Sequence, residues 1–356
     1  MTRHYQQLMS RKRCLCQRWT IAEPGPFSGG AGADRRYGLS PRNNQLATAL
    51  TPHPPISTRD WFLILLLGTI WGGSFFFARI AVQEIPPLTL VLLRVSLAAA
   101  ALHLYLVLRG PSFRAALPLA VSFLGMAMLN NVIPFSLMFA GQTAIGAGLA
   151  SVLNATTPFW TMLLANAFLA DEKLTRLKVI GVVLGITGTA VMVGPGIVAG
   201  LGGPVWAKLA LVGTALSYGF AFIFARRFKG VAPELLATGQ LTASTIIMIP
   251  VVLTLDGVSG FIGVSAGAWW SVAGLALLAT AFAYILYFSI LSSAGATNAS
   301  LVTLIVPVSA ILLGTAFLGE RLELFEVAGM ALIGFGLVVV DGRVFAKRGN
   351  AKMRAG

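Results

Sequence analysis

The sequence predicts an all-α membrane protein whose ten transmembrane helices form two inverted five-helix repeats. Three observations support this: composition, the length of the apolar blocks and an internal repeat. Of 356 residues, 56% are hydrophobic and only 11% charged, with a mean hydropathy of +0.82, whereas soluble domains carry about 25% charged residues. A water-soluble fold of this length could not hide so much apolar surface. The apolar residues fall in blocks of roughly 18–24 positions, enough to cross about 30 Å of hydrocarbon at about 1.5 Å per residue. A β-barrel would need alternating segments of about 10 residues, so helices remain as the way to satisfy the backbone in lipid.

Residues 1–59 carry Arg11-Lys12-Arg13, Arg35-Arg36 and the Pro-rich stretch at 51–55, with no apolar run. They read as a disordered basic tail, open to interpretation as a cytoplasmic tail, a targeting segment or a mis-called start. Ten candidate spans follow at about 61–80, 88–108, 115–139, 144–169, 177–194, 207–227, 233–254, 268–291, 297–318 and 324–341. All 26 Lys and Arg residues except Arg79, Arg94, Lys208 and Arg321 lie in the two tails or in the links after helices 2, 4 and 6. The positive-inside rule makes that side cytoplasmic, with both termini inside an inner-membrane protein. The net charge of +14 is therefore an orientation signal rather than a nucleic-acid patch. Residues 342–356 are a second basic tail. Both cysteines, Cys14 and Cys16, sit in the first tail, so no disulfide staples the spans.

The repeat is visible as Leu153-Asn154-Ala155-Thr156-Thr157-Pro158 recurring as Val302 to Pro307, each followed by a Glu, Glu172 or Glu320, at the span's end. Gly181 then matches Gly329 and Gly188 matches Gly336, while Gly68-Thr69 matches Gly213-Thr214. The period is five helices, giving halves at 60–194 and 206–341. Because five is odd, the second half enters the membrane from the opposite face, an arrangement suited to alternating access.

Trp71-Gly72 in helix 1, Arg94 in helix 2, and the twice-repeated helix with a central Pro and terminal Glu resemble the EamA family of the drug/metabolite transporter superfamily, over about 61–341. The second half departs from this with Leu216-Ser217 where the first has Trp71-Gly72. The resemblance implies a carrier of small organic metabolites, amino-acid-like or drug-like, that works as an exporter. A channel or membrane scaffold is the competing class.

Polar residues within spans are costly in hydrocarbon and should face a cavity or another helix. Trp71 and Ser74 of helix 1, Asn130 and Asn131 of helix 3, Asn154 and Thr157 of helix 4, Ser217 and Tyr218 of helix 6, Tyr284 and Tyr287 of helix 8, and Thr303 of helix 9 are the candidate substrate-lining set. The alternative for the aromatics is interfacial anchoring, and for the hydroxyls bonding to their own backbone. Pro158 and Pro307 are candidate hinges, since each removes a backbone hydrogen bond near mid-membrane. Glu172 and Glu320 are candidate gates at opposite ends. Arg94 is expected to be structural, close enough to the helix start to snorkel, with Glu84 as its partner; direct contact with an anionic substrate is the alternative. His103 reads as a packing residue.

None of the twelve acidic residues sits mid-span, so proton coupling has no evident carrier. Gly263-Val264-Ser265-Ala266-Gly267 fits a nucleophile-elbow pattern, but it lies in a link and no histidine follows it, which makes an intramembrane enzyme the remote alternative. No metal or cofactor is implied. The expected partners are a small-molecule substrate and the lipid bilayer, without nucleic acid; a homodimer is compatible with the sequence.

Overall fold

The computed structural model describes residues 57–169, 174–199, 203–257, 259–294, 299 and 301–341. The two tails, with Cys14 and Cys16, and the candidate gate Glu172 lie outside the described residues. Those described form helices and short links: α1 Thr58–Ala81, α2 Pro87–Arg109, α3 Phe113–Gln142, α4 Ala147–Asn154, α5 Thr157–Phe168, α6 Arg176–Ala199, α7 Val205–Phe228, α8 Pro233–Leu255, α9 Ala266–Ala294, α10 Val302–Leu318 and α11 Leu324–Asp341. Seven of them, α1, α2, α3, α6, α7, α8 and α9, are long and apolar enough to cross a bilayer; α10 and α11 are apolar but shorter. With exposed apolar stripes such as Val308 and Leu312 on α10, the chain is a multi-pass membrane protein.

The expected fourth span is a broken pair, α4 and α5. Pro158, second in α5, has no N–H to give, while the Thr156 and Thr157 hydroxyls donate to the carbonyls of Leu153 and Asn154 at 2.6 and 2.7 Å. Those side chains occupy carbonyls that a continuous helix would use. By contrast α10 runs unbroken through Pro307.

Two helices widen into π turns, Met128–Val132 in α3 and Gly274–Phe282 in α9. In α3 the cause is visible: Pro134 cannot bond the Asn130 carbonyl, so the ladder slips by one residue. The two turns occupy matching places in the two halves.

Packing follows the same pseudo-symmetry. α1 lies on α10 as α7 lies on α4 and α5; α2 lies on α9 as α8 lies on α3; α2 meets α8 and α6 meets α11 as self-paired contacts. The α6–α11 seam is built on four glycines. A methyl placed on Gly181 would sit 2.7 Å from the Gly336 carbonyl oxygen, and one on Gly188 would sit 2.7 Å from that of Gly329; the reverse distances are 2.8 and 2.7 Å. Rising numbers on one helix meet falling numbers on the other, so the two run antiparallel, as inverted repeats require.

Candidate functional site

The two π turns carry their side chains to the middle of the bundle, where α2 and α8 cross. Arg94 is the eighth residue of α2, roughly 10 Å in from its start, and Gln240 is the eighth of α8. Pro87 and Pro233 open these helices in the same register, so Arg94 and Gln240 are mates. Each reaches toward the π turn of the other half's third helix. Arg94 Nε donates to Thr280 Oγ1 at 3.0 Å, and Asn130 Nδ2 donates to Gln240 Oε1 at 2.9 Å. Thr280 in turn donates to the Leu275 carbonyl, five residues back in the widened turn. Gln240 Nε2 lies 3.4 Å from the Tyr284 hydroxyl, linking the two arms.

Arg94 is only 5% exposed, so its side chain does not snorkel to an interface as the sequence suggests. Its guanidinium lies over the Phe135 ring, 3.9 Å from the centroid, with Tyr218 and Tyr284 the polar aromatics close enough to feel its charge. Nη1 has no hydrogen-bond partner. A desolvated cation–π contact is worth about 2 kcal/mol, against an insertion cost of about 2.5–3.5 kcal/mol for an arginine at mid-helix. Thr280 and Phe135 thus offset much of the burial and leave one edge of the guanidinium unmet. The expected partner Glu84 is elsewhere: its carboxylate accepts from Ser265 N–H and Oγ–H, both at 2.7 Å. Those bonds hold Glu84 below the usual carboxylate range. Ser265 also caps α9 through the Ala268 N–H, which accounts structurally for the serine of the elbow-like pattern.

Trp71 joins this centre from α1, its ring 5.6 Å from Tyr287. Ser217 donates to the Leu129 carbonyl at the first π turn, and Asn131 donates to Ser244 beside it. Ser74 is buried in α1. Asn154, at the end of α4, has a buried Oδ1 without a partner. Thr157 is bonded to the Asn154 carbonyl, its own backbone, so its hydroxyl is already engaged. Thr303 is exposed on α10. His103 pairs with Thr242 at 2.9 Å and packs edge-on against Phe113, a packing role as expected. Gln240 is a central residue missing from the sequence-based lining set, and matching Pro87 to Pro233 would have found it; Thr280 shares the helical face of Tyr284 and Tyr287 in the sequence.

At the bundle end away from the basic links, carboxylates tie helices together. Glu320 accepts from the Ala147 and Gly148 N–H groups at the start of α4, at 2.7 and 3.0 Å, where the helix dipole favours an anion. Asp256 accepts from the Thr89 N–H and hydroxyl at the start of α2. Arg79 donates to the carbonyls of Gln142 and Thr143 at the end of α3. At this end lies a cavity of about 570 Å³ lined by Arg79, Glu84, Gly146, Glu320, Arg321 and Glu326 among others. Glu326 is buried in the first turn of α11, near Lys208, whose Nζ bonds the Met192 carbonyl.

Comparison with known proteins agrees with this architecture. The profile of the EamA-like transporter family matches residues 60–194 and again 205–340. The "uncharacterized inner membrane transporter YedA" of Escherichia coli (strain K12) is 27% identical over 288 residues, 78% of this chain and 89% of that protein. A "probable amino-acid metabolite efflux pump" of Salmonella typhimurium (strain LT2) is 28% identical over 299 residues, 80% of this chain and 95% of that one. A protein of known crystal structure shares the fold with a TM-score of 0.57 at 22% identity, covering 82% of this chain and 97% of its own. Two family matches, one for each half, cover most of the chain, and the chain belongs to the EamA-like transporter family.

Proposed function

We propose that this protein exports a small organic metabolite across the inner membrane by alternating access, its halves at 60–194 and 206–341 rocking about the polar centre. The observation that carries the reading is the mated packing: antiparallel, reciprocally built halves meet around Arg94, Gln240 and the two π turns. Such halves can exchange conformations, giving two states of similar energy. The outward direction and the substrate class draw on the Salmonella relative named as an amino-acid metabolite efflux pump. The sorting of Lys and Arg supports ten crossings with both termini and the basic links cytoplasmic. On that orientation Glu320 and Asp256 tie helices together at the external end, where the cavity of about 570 Å³ lies.

The test is solute exchange in proteoliposomes with pooled amino acids and related metabolites, with and without a pH gradient. Saturable counterflow is expected, whereas flux that rises linearly with concentration would mark a channel. Trp71→Ala and Asn154→Ala should each lower exchange at least several-fold while inserting normally. Unchanged exchange in both would remove the central pocket from the reading.

A further inference from the structure

Among the described residues, two cations lie buried in the helices, and they differ in what meets them. Lys208 donates to the Met192 carbonyl and lies near Glu326 and the Phe325 ring. Arg94 uses Nε on a neutral hydroxyl and stacks on Phe135, while Nη1 is sealed from solvent without a partner. A guanidinium stays charged at every pH a cell meets. The carboxylates that the bundle could offer are used elsewhere: Glu84 on Ser265, Asp256 on Thr89, Glu320 on the start of α4, Asp60 on Ser57 and Ser293. No carboxylate among the described residues bonds Arg94.

The mate of Arg94 sharpens the point. Gln240 occupies the same place in the other half and is satisfied by Asn130 and Tyr284, all neutral groups. The centre therefore carries one uncompensated positive charge on one side and hydrogen-bonding amides and phenols on the other, with Trp71 and Tyr287 as an apolar wall. That distribution matches a solute with one carboxylate, a hydrogen-bonding remainder and an apolar body, and it repels cations. We propose that Arg94 binds the carboxylate of the transported solute, so that the carrier selects organic carboxylates, α-amino acids included, over their uncharged amides. This rests on the carrier reading above and adds the anionic anchor to it.

The test uses the full chain in proteoliposomes and a panel of small carboxylates, amino acids among them, each beside its own amide. Wild type should show saturable counterflow for acids and at least tenfold less for the matched amides. R94Q should lose the acid flux at least tenfold and bring the acid-to-amide ratio toward unity; R94K should keep part of the preference. T280V, which removes the Nε acceptor together with the hydroxyl bond to the Leu275 carbonyl, should raise KM for the acid by a larger factor than for its amide, and it serves if R94Q does not fold. Amides carried as well as acids by wild type, or an unaltered ratio in folded R94Q, would overturn the proposal. If wild type shows no saturable flux, the carrier reading falls, and thermal melting decides the anchor separately. Acids that raise the melting temperature of wild type but not of R94Q would keep an anion site without carriage; no stabilisation by any acid would overturn both.

Discussion

α4–α5 and α10 start from the same motif and end differently. Both carry a proline at the repeated place, yet only the first helix breaks. The difference lies in the residues beside the proline. Thr156 and Thr157 supply hydroxyls that bond Leu153 and Asn154, replacing the ladder locally, while Leu304, Ile305 and Val306 have no such alternative. A proline deletes one backbone bond; neighbouring side chains decide whether the helix parts there. The same contrast runs through the molecule. Where the halves meet on glycine they are interchangeable, and where they carry polar groups, as at Arg94 and Gln240, they are not.

The interchangeable part should yield the largest effect. Gly188→Leu drives a side chain into the Gly329 backbone, and overpacking of this kind costs about 1–3 kcal/mol or more. Melting in detergent should show a clear loss, and Gly336→Leu, at the mated position, should match it. A large fall for one and none for the other would break the symmetry of the seam.

Glu320→Ala removes two charge-assisted bonds to the start of α4, a loss of about 1–3 kcal/mol at the cavity end of the bundle. Its effect should appear as lower melting together with greater labelling of a cysteine introduced at Ile80, in the cavity wall, in a Cys14→Ser, Cys16→Ser background. Labelling that stays at the parent level would remove Glu320 from the contacts that hold this end together.

Pro158→Ala restores an N–H at the break, so counterflow should slow several-fold, while Pro307→Ala in the continuous α10 should change it less than twofold. Equal effects would mean that the break is incidental.

The smallest effect concerns Glu84, an exposed carboxylate. Its ionised form is favoured by Ser265, so the contact contributes above the ordinary Glu range near pH 4.3 and is lost as pH falls through the lower folded value. A melting series should be flat from neutral pH to about pH 5, then decline slightly more steeply for wild type than for Ser265→Ala.

Much of this was legible in the sequence, for reasons that differ by residue. Apolar block length marks spans because bilayer thickness sets it, and the matched glycines at 181, 188, 329 and 336 mark a close contact because only glycine permits it. Side-chain direction was not legible. Arg94 and Glu84 are near in sequence, but the rotation of α2 turns Arg94 inward while the cap of α9 takes Glu84. The widened turn that brings Thr280 to Arg94 has no proline to announce it. Nothing local to Glu326 reveals that Lys208 lies beside it. Thr303 fits the repeat pattern of the lining set, but its place on α10 leaves it exposed.

The glycine seam has a further consequence. Gly181 faces Gly336 and Gly188 faces Gly329, and since Gly329 is the mate of Gly181 and Gly336 that of Gly188, these are one contact made twice. Such self-complementary contact is what an isologous dimer uses. A single five-helix chain bearing one such glycine pair would close the seam with an upside-down copy of itself, so the geometry is that of a duplicated and fused half. Fusion frees each half to diverge, which is how one position could become arginine and its twin glutamine without disturbing the joint that holds them together.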